Sequence, residues 1–343
     1  MSTIQAGNAA TITPSHCLRL LPTLYKLRRS FFLKGPVGVG KSSIVAQFCT
    51  ANKLEMRDVR LSQMDPTDIK GFPSPDAAKN LMRWLPPDFL PTDKKSKGVL
   101  FLDELTSAPT AVQASAYQLM LDRKVGSYIL PPGWSVGAAG NREIDRSIVN
   151  RQPAALANRM IHLNIDASLE CWVPWAMANG ITPTTVAYLR FEEKNLHNFD
   201  PQSAEAAFPT PRSWVFADEV MREGLPPVDA IPLLRGAVGP AATNYWAFAQ
   251  MMAELPTRDE IAMDPEHAPI PEKPDARLAT ATMLSMAAKD VSAFKTFLTY
   301  MQRMNQEMQV IFMRDMLAKG TDVPVKTTPE FTKWAVANSD VML

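Results

Sequence analysis

Cysteine, histidine and net charge are scarce in this 343-residue chain, and each scarcity closes off a class of function. Cys17, Cys49 and Cys171 are odd in number and lack metal-type spacing, so they support neither a disulfide framework nor a zinc cluster. They read as thiols of a reducing compartment. His16, His162, His197 and His267 are scattered and form no H-E-x-x-H pattern. Lys and Arg total 36 against 35 Asp and Glu, a formal charge of +1, which removes the whole-chain electrostatic argument for a nucleic-acid binder. No apolar run approaches membrane-spanning length, and the first residues show no charged stretch followed by an apolar one. A cytoplasmic protein without a membrane partner is therefore expected. No internal repeat or low-complexity tract is visible either.

What is present is a hydrophobic fraction of 46 %, enough for a sizeable core, and a length that suits two or three domains. One segment is chemically specific. Gly35-Pro36-Val37-Gly38-Val39-Gly40-Lys41-Ser42, followed by Ser43, fits the phosphate-loop pattern G-x-x-x-x-G-K-[ST] at every specified position. Ser30–Lys34 before it is suited to a buried strand, and Ser43–Phe48 after it opens a helix. The glycines let successive N–H groups turn inward around a phosphate, and the helix N-terminus adds positive potential. Lys41 is placed to neutralise β- and γ-phosphate oxygens, and the Ser42 hydroxyl to hold Mg2+.

Beyond the loop, apolar runs alternate with helical stretches, which predicts a parallel α/β sheet of the P-loop type. Residues 1–14 read as a loose tail and 15–166 as the α/β nucleotide-binding domain. Residues 167–255 read as a helical lid, 256–276 as a proline-rich linker and 277–343 as a helical C-terminal extension. Pro131-Pro132-Gly133 predicts the turn of a hairpin between Val125–Ile129 and Trp134–Val136, with a further short strand ending at Asn141. Asp65–Lys97 is too long for a plain connection and reads as a functional insertion. Met301, Met304, Met308, Ile311, Phe312 and Met316 share a helix face, which is either packed within its own domain or a partner contact.

Val99-Leu100-Phe101-Leu102 ends in Asp103-Glu104 about sixty residues after the phosphate loop. An apolar strand ending in two carboxylates delivers both to the carboxyl edge of the sheet, where α/β folds bind ligands. Asp103 is placed to hold a water on Mg2+, and Glu104 to polarise the water that attacks the γ-phosphate.

Taken in order, these stretches resemble the AAA+ ATPases, and most closely their MoxR-type branch, over about residues 15–255. Phe32–Ser43 resembles the Walker A segment, and Asp65–Gly71 the stretch that opens the helix-2 insertion. Phe101–Pro109 resembles Walker B, and Val112–Met120 the helix after it; the residues from Asp122 on fall where the family has its pre-sensor-1 hairpin. The resemblance implies sensor 1 at Asn141, an arginine finger at Arg159 acting on a neighbouring subunit, and sensor 2 at Arg212. Arg142, Arg146 and Arg151 are competing finger candidates. It further implies ATP and Mg2+ as ligands, a homo-oligomeric, hexameric ring that remodels a protein client, and a von Willebrand factor A-type partner. Thr106 and Ser107 stand where the family often has an arginine, a departure from its pattern. Two other readings stay open: a DNA-directed motor or clamp-loader-like switch, and a scaffold that binds ATP with little turnover. Trp84, Phe89, Tyr128 and Trp134 are either client contacts or local core.

Overall fold

A computed structural model describes residues 11–76, 78, 80–142, 157–203 and 205–339. They form two compact units, the first running through Ser168 and taking in Phe199–Ser203, the second comprising Leu169–Asn198 and the rest of the chain.

In the first unit the elements follow as β1 (Thr11–Ile12), α1 (Pro14–Leu27), β2 (Phe31–Lys34), α2 (Lys41–Ala51), β3 (Glu55–Arg60), α3 (Pro66–Lys70), β4 (Phe72–Asp76) and β5 (Leu81–Leu85). There follow β6 (Gly98–Asp103), α4 (Thr110–Asp122), β7 (Lys124–Val125), β8 (Tyr128–Ile129), β9 (Trp134–Gly140) and β10 (Ile161–Ile165). Six strands make one sheet in the order β1-β10-β2-β9-β6-β3, every pair parallel. Helices on both faces explain why the central strands are apolar throughout rather than alternating. On β6, Val99 and Phe101 join the core under α1 and α2, whereas Leu100 and Leu102 join the core under α4. The expected α/β class with a helical C-terminal part is what the chain forms.

One strand assignment needs correction. Trp134–Gly140 does not return as the second arm of a hairpin; it is a single central strand, paired with β2 and β6. The hairpin is the short pair β7–β8, turning at Gly126-Ser127 and ordered by the pairing of Val125 with Tyr128. Pro131-Pro132-Gly133 is instead the bend that leads into β9, where Trp134 N–H donates to Pro131 O at 3.1 Å. Trp134 is accordingly 1 % exposed, a core residue and not a client contact. Phe89 and Tyr128 pack on that same core.

The Asp65–Lys97 insertion contains α3 and the antiparallel hairpin β4–β5. Here the large exposed apolar side chains are Phe72, Leu81, Met82 and Leu85. Pro73 and Pro75 lie on β4, opposite Trp84 and Met82.

The second unit is helical: α5 (Leu169–Ala178), α6 (Pro183–Phe191), α7 (Pro211–Arg222), α8 (Pro227–Val238), α9 (Ala241–Ala253), α10 (Arg258–Met263), α11 (Pro274–Ala287), α12 (Val291–Met301), α13 (Gln306–Ala318) and α14 (Pro329–Ala337). Two expectations change here. The stretch read as a linker carries α10, and buries Ile261 and Ala268 in the core of the C-terminal helices. Lid and extension are not separate bodies, because α6 packs along α11 within this one unit. Arg190 on α6 donates to both Asp315 Oδ2 on α13 and Thr282 Oγ1 on α11 at 2.8 Å. The methionine stripe resolves to its plainer reading: Met301, Met304, Met308, Phe312 and Met316 are buried in the unit's own core. Among the described residues, no helix is long and apolar enough to cross a membrane.

Candidate active site

Phe31, Phe32 and Leu33 anchor β2 in the middle of the sheet, and the chain leaves its carboxyl end into the loop Gly35–Gly40. Gly38 and Gly40 both have positive φ, 75° and 91°, a conformation that L side chains adopt at a cost. Gly40 caps α2 without a side-chain hydrogen bond, and the first turn of α2 holds no acidic residue. The positive end of this 11-residue helix therefore faces an incoming anion with no acidic side chain in its first turn.

Lys41 is buried, which for a lysine requires acceptors. Its Nζ donates to Gly35 O at 2.9 Å, Pro36 O at 3.0 Å and Asn141 Oδ1 at 3.0 Å. The loop thus folds back over its own lysine and ties it to the residue that follows β9. Next to it, Ser42 Oγ donates to Asp103 Oδ2 at 2.6 Å, across the sheet end. Asp103 Oδ1 accepts the Glu104 N–H at 2.8 Å. Glu104 has a left-handed backbone, φ 57°, an uncommon state for a side-chain-bearing residue and one met at functional turns. Ser107 and Ala108 N–H close this turn onto Glu104 O.

Ser62, just past β3, was not visible from the sequence, yet its hydroxyl donates to Glu104 Oε2. Asp58 on β3 lies on the same face; burial, then the Asp103 charge, push its carboxyl above the ordinary range, with Arg60 opposing and Glu104 adding to the rise. No local pattern marks Ser62, because the contact joins residues 42 apart.

The structure therefore brings Lys41, Ser42, Asp103, Glu104 and Asn141 to one end of the sheet. It treats the arginines differently. Arg159 is exposed, in the turn before β10, and makes no hydrogen bond or ion pair with a described residue. Arg142 is half-buried, 3.6 Å from Asp166 Oδ2. Arg146 and Arg151 lie outside the described residues. Arg212 belongs to the second unit, exposed on the first turn of α7. The Thr210–Ser213 segment around it is also a reciprocal helix cap, with Ser213 N–H on Thr210 Oγ1 at 3.0 Å and Thr210 N–H on Ser213 Oγ at 2.8 Å.

Residues 30–149, which span β2 to β9 and both carboxylates, match the family described as AAA domain (dynein-related subfamily). The chain carries an AAA+ domain. Among solved structures, the chain is similar to NtrX from Brucella abortus in complex with ADP, at 15% identity over 91% of this chain and 70% of that one, TM-score 0.41. It is also similar to the Thermotoga maritima RuvB Holliday junction branch migration motor, at 14% identity over 70% and 68%, TM-score 0.38. No curated protein matches the chain.

The donor set of the AAA+ domain fits a nucleoside triphosphate with Mg2+. A buried cation, an uncapped helix start and loop N–H groups suit phosphate oxygens. A hydroxyl and a carboxylate oxygen at 2.6 Å form the hard oxygen pair that Mg2+ takes, directly or through water.

Proposed function

We propose that the AAA+ domain hydrolyses ATP to ADP and phosphate with Mg2+. We further propose that copies assemble into a ring, six in number, that remodels a partner protein in the manner of the MoxR-type branch. The observation that carries the ATPase reading is the hydrogen-bonded set Lys41–Asn141 and Ser42–Asp103 beside Glu104, drawn from α2, β6 and β9. Bound Mg2+ would supply charge neutralisation on phosphate oxygens, held by Ser42 and Asp103. Lys41 exchanges its backbone acceptors for β/γ oxygens at no loss of pairing. Asn141 orients the attacking water or a γ-oxygen with its amide. Glu104 polarises that water at its carboxylate. In this reading Arg159, exposed and unengaged, reaches the triphosphate of a neighbouring copy, and Arg212 senses it from the helical unit. A trans arginine is worth about 10³–10⁵ in rate, because it meets charge that develops only in the transition state. The ordered motifs from Asp65 to Met120 support the MoxR-type assignment, and with it a von Willebrand factor A-type partner.

One contact favours the second reading, a scaffold gated by ATP with little turnover: the Ser62 hydroxyl donates to Glu104 Oε2 and so engages one of the two oxygens that would polarise water. Phosphate release separates the two. In the ATPase reading, Glu104→Gln binds ATP normally and accumulates assembled rings while turnover stops. Normal turnover in that variant removes the role given to Glu104. Mixing tests the trans arrangement: Arg159→Ala and Lys41→Ala proteins, each inactive, recover phosphate release together because one subunit of each kind rebuilds a whole site. Absence of recovery in mixed rings, shown by native mass spectrometry to form, counts against Arg159.

A further inference from the structure

Thr106 is only 5 % exposed, and its hydroxyl has no hydrogen-bond partner. A buried hydroxyl without a partner is costly, and a valine of the same shape would avoid the cost. What this threonine touches is therefore informative. A Cβ placed on Gly140 would stand 2.6 Å from Thr106 Oγ1 and 2.8 Å from its Cγ2, so the side chain lies directly on the Gly140 backbone. Gly140 immediately precedes Asn141, and its carbonyl receives only a long contact from Gly35 N–H, 3.4 Å. Thr106 itself is held firmly. Leu105 N–H donates to Ala139 O at 2.9 Å, and the Glu104 turn closes behind it through Ser107 N–H at 2.9 Å. Thr106 is thus the bridge between the turn that presents Glu104 and the strand end that presents Asn141.

We propose that Thr106 is a positioning residue for Asn141, its hydroxyl donating to the Gly140 carbonyl when Asn141 turns from Lys41 toward the terminal phosphate of a bound triphosphate. The Asn141 side chain now accepts from Lys41. If that turn carries the Gly140–Asn141 peptide with it, the 3.4 Å contact to Gly35 N–H breaks and the Gly140 carbonyl needs another donor. Thr106 is that donor. The orphaned hydroxyl is the cost carried in one conformation for a bond made in the other.

The proposal rests on the triphosphate reading of the site, and its test uses the full chain with Thr106→Val and Thr106→Ser. Thr106→Val raises the melting temperature by about 2 °C, because it deletes an unpaired buried hydroxyl. It lowers kcat about tenfold with KM within about twofold, the signature of lost orientation in the transition state. The preference for AMP-PNP over ADP, measured by calorimetry at fixed Mg2+, falls severalfold in Thr106→Val and is kept in Thr106→Ser, which also keeps kcat. An unchanged preference in Thr106→Val, or an equal loss in Thr106→Ser, overturns the proposal. A wild-type chain that releases no phosphate removes the ATPase reading, while the AMP-PNP to ADP preference still decides the role of Thr106. A wild-type chain that binds neither nucleotide overturns both.

Discussion

Both units bury charge, and they do so for opposite ends. In the AAA+ domain, Lys41 is satisfied by two carbonyls and the Asn141 amide, all partners that a phosphate can replace in kind. In the helical unit, Asp315 is gripped by Arg190 and by Ser285 Oγ at 2.7 Å, and nothing in that arrangement can be exchanged without loss. Asp218 is similar: 0 % exposed, it accepts Thr182 N–H at 2.9 Å and the Thr182 and Thr185 hydroxyls at 2.6 Å, with Arg222 at 3.1 Å. The first kind of pairing keeps a charge ready to be handed over. The second kind ties α6 to α7, α11 and α13.

Substitution separates the two most sharply at their centres. Lys41→Ala should weaken ATP binding more than about a hundredfold, since a charge-assisted contact to phosphate is lost, yet change unfolding free energy by no more than about 1 kcal/mol. Calorimetric titration and urea melts of the same preparation read both. Asp315→Ala should invert that result, costing about 3–5 kcal/mol of stability by leaving the Arg190 charge buried and unpaired. Its nucleotide affinity should stay that of the wild type. The joint change Arg190→Met with Asp315→Leu should recover most of the loss, and a double variant as unstable as Asp315→Ala would show that geometry rather than charge is at stake.

Two smaller effects refine the contrast. Ser62→Ala frees Glu104 and should raise basal phosphate release up to about tenfold, the worth of one hydrogen bond to a carboxylate. A fall in rate would mean that Ser62 helps to orient the carboxylate. Lys319 is the mild case in the helical unit. Burial, then the neighbouring Lys289, lower its amine to about 8, with Asp315 opposing, while its Nζ caps the end of α11 at Ser285 O and Ala288 O. Between pH 8 and the ordinary lysine range the unfolded chain binds the proton and the folded one does not, so stability should rise with pH there. Below pH 8 both states are protonated and the slope vanishes. Lys319→Met should flatten the rise in melts followed from pH 7 to 10.

Which parts were legible in the sequence follows from the range of the forces involved. The phosphate loop and the strand ending in Asp103-Glu104 were readable because each is set by local chemistry, glycines that need positive φ or a strand covered on both faces, whereas Asn141 came with the family resemblance. The β7–β8 turn was misplaced because the prolines at 131 and 132 gave the stronger local turn signal. Trp134 then reads as a hairpin aromatic, although tertiary packing draws it into the centre of the sheet. Ser62 left no mark and Thr106 showed only as a departure from the family pattern, since their contacts are made only after the sheet assembles. The same holds for α10, where charged and proline-rich text conceals the single buried anchor Ile261.

The two prolines of β4 have a consequence of their own. Strand residues alternate in the direction of their N–H groups, so Phe72, Ser74 and Asp76 face β5 while Pro73 and Pro75 stand where the outward donors would be. The outer edge of β4 therefore offers no amide at Pro73 or Pro75 for another strand to pair with, and exposed Phe72 stands on that strand. Another chain can touch it, but cannot extend it into a growing ribbon. Stickiness is permitted here, and fibre growth along that margin is not.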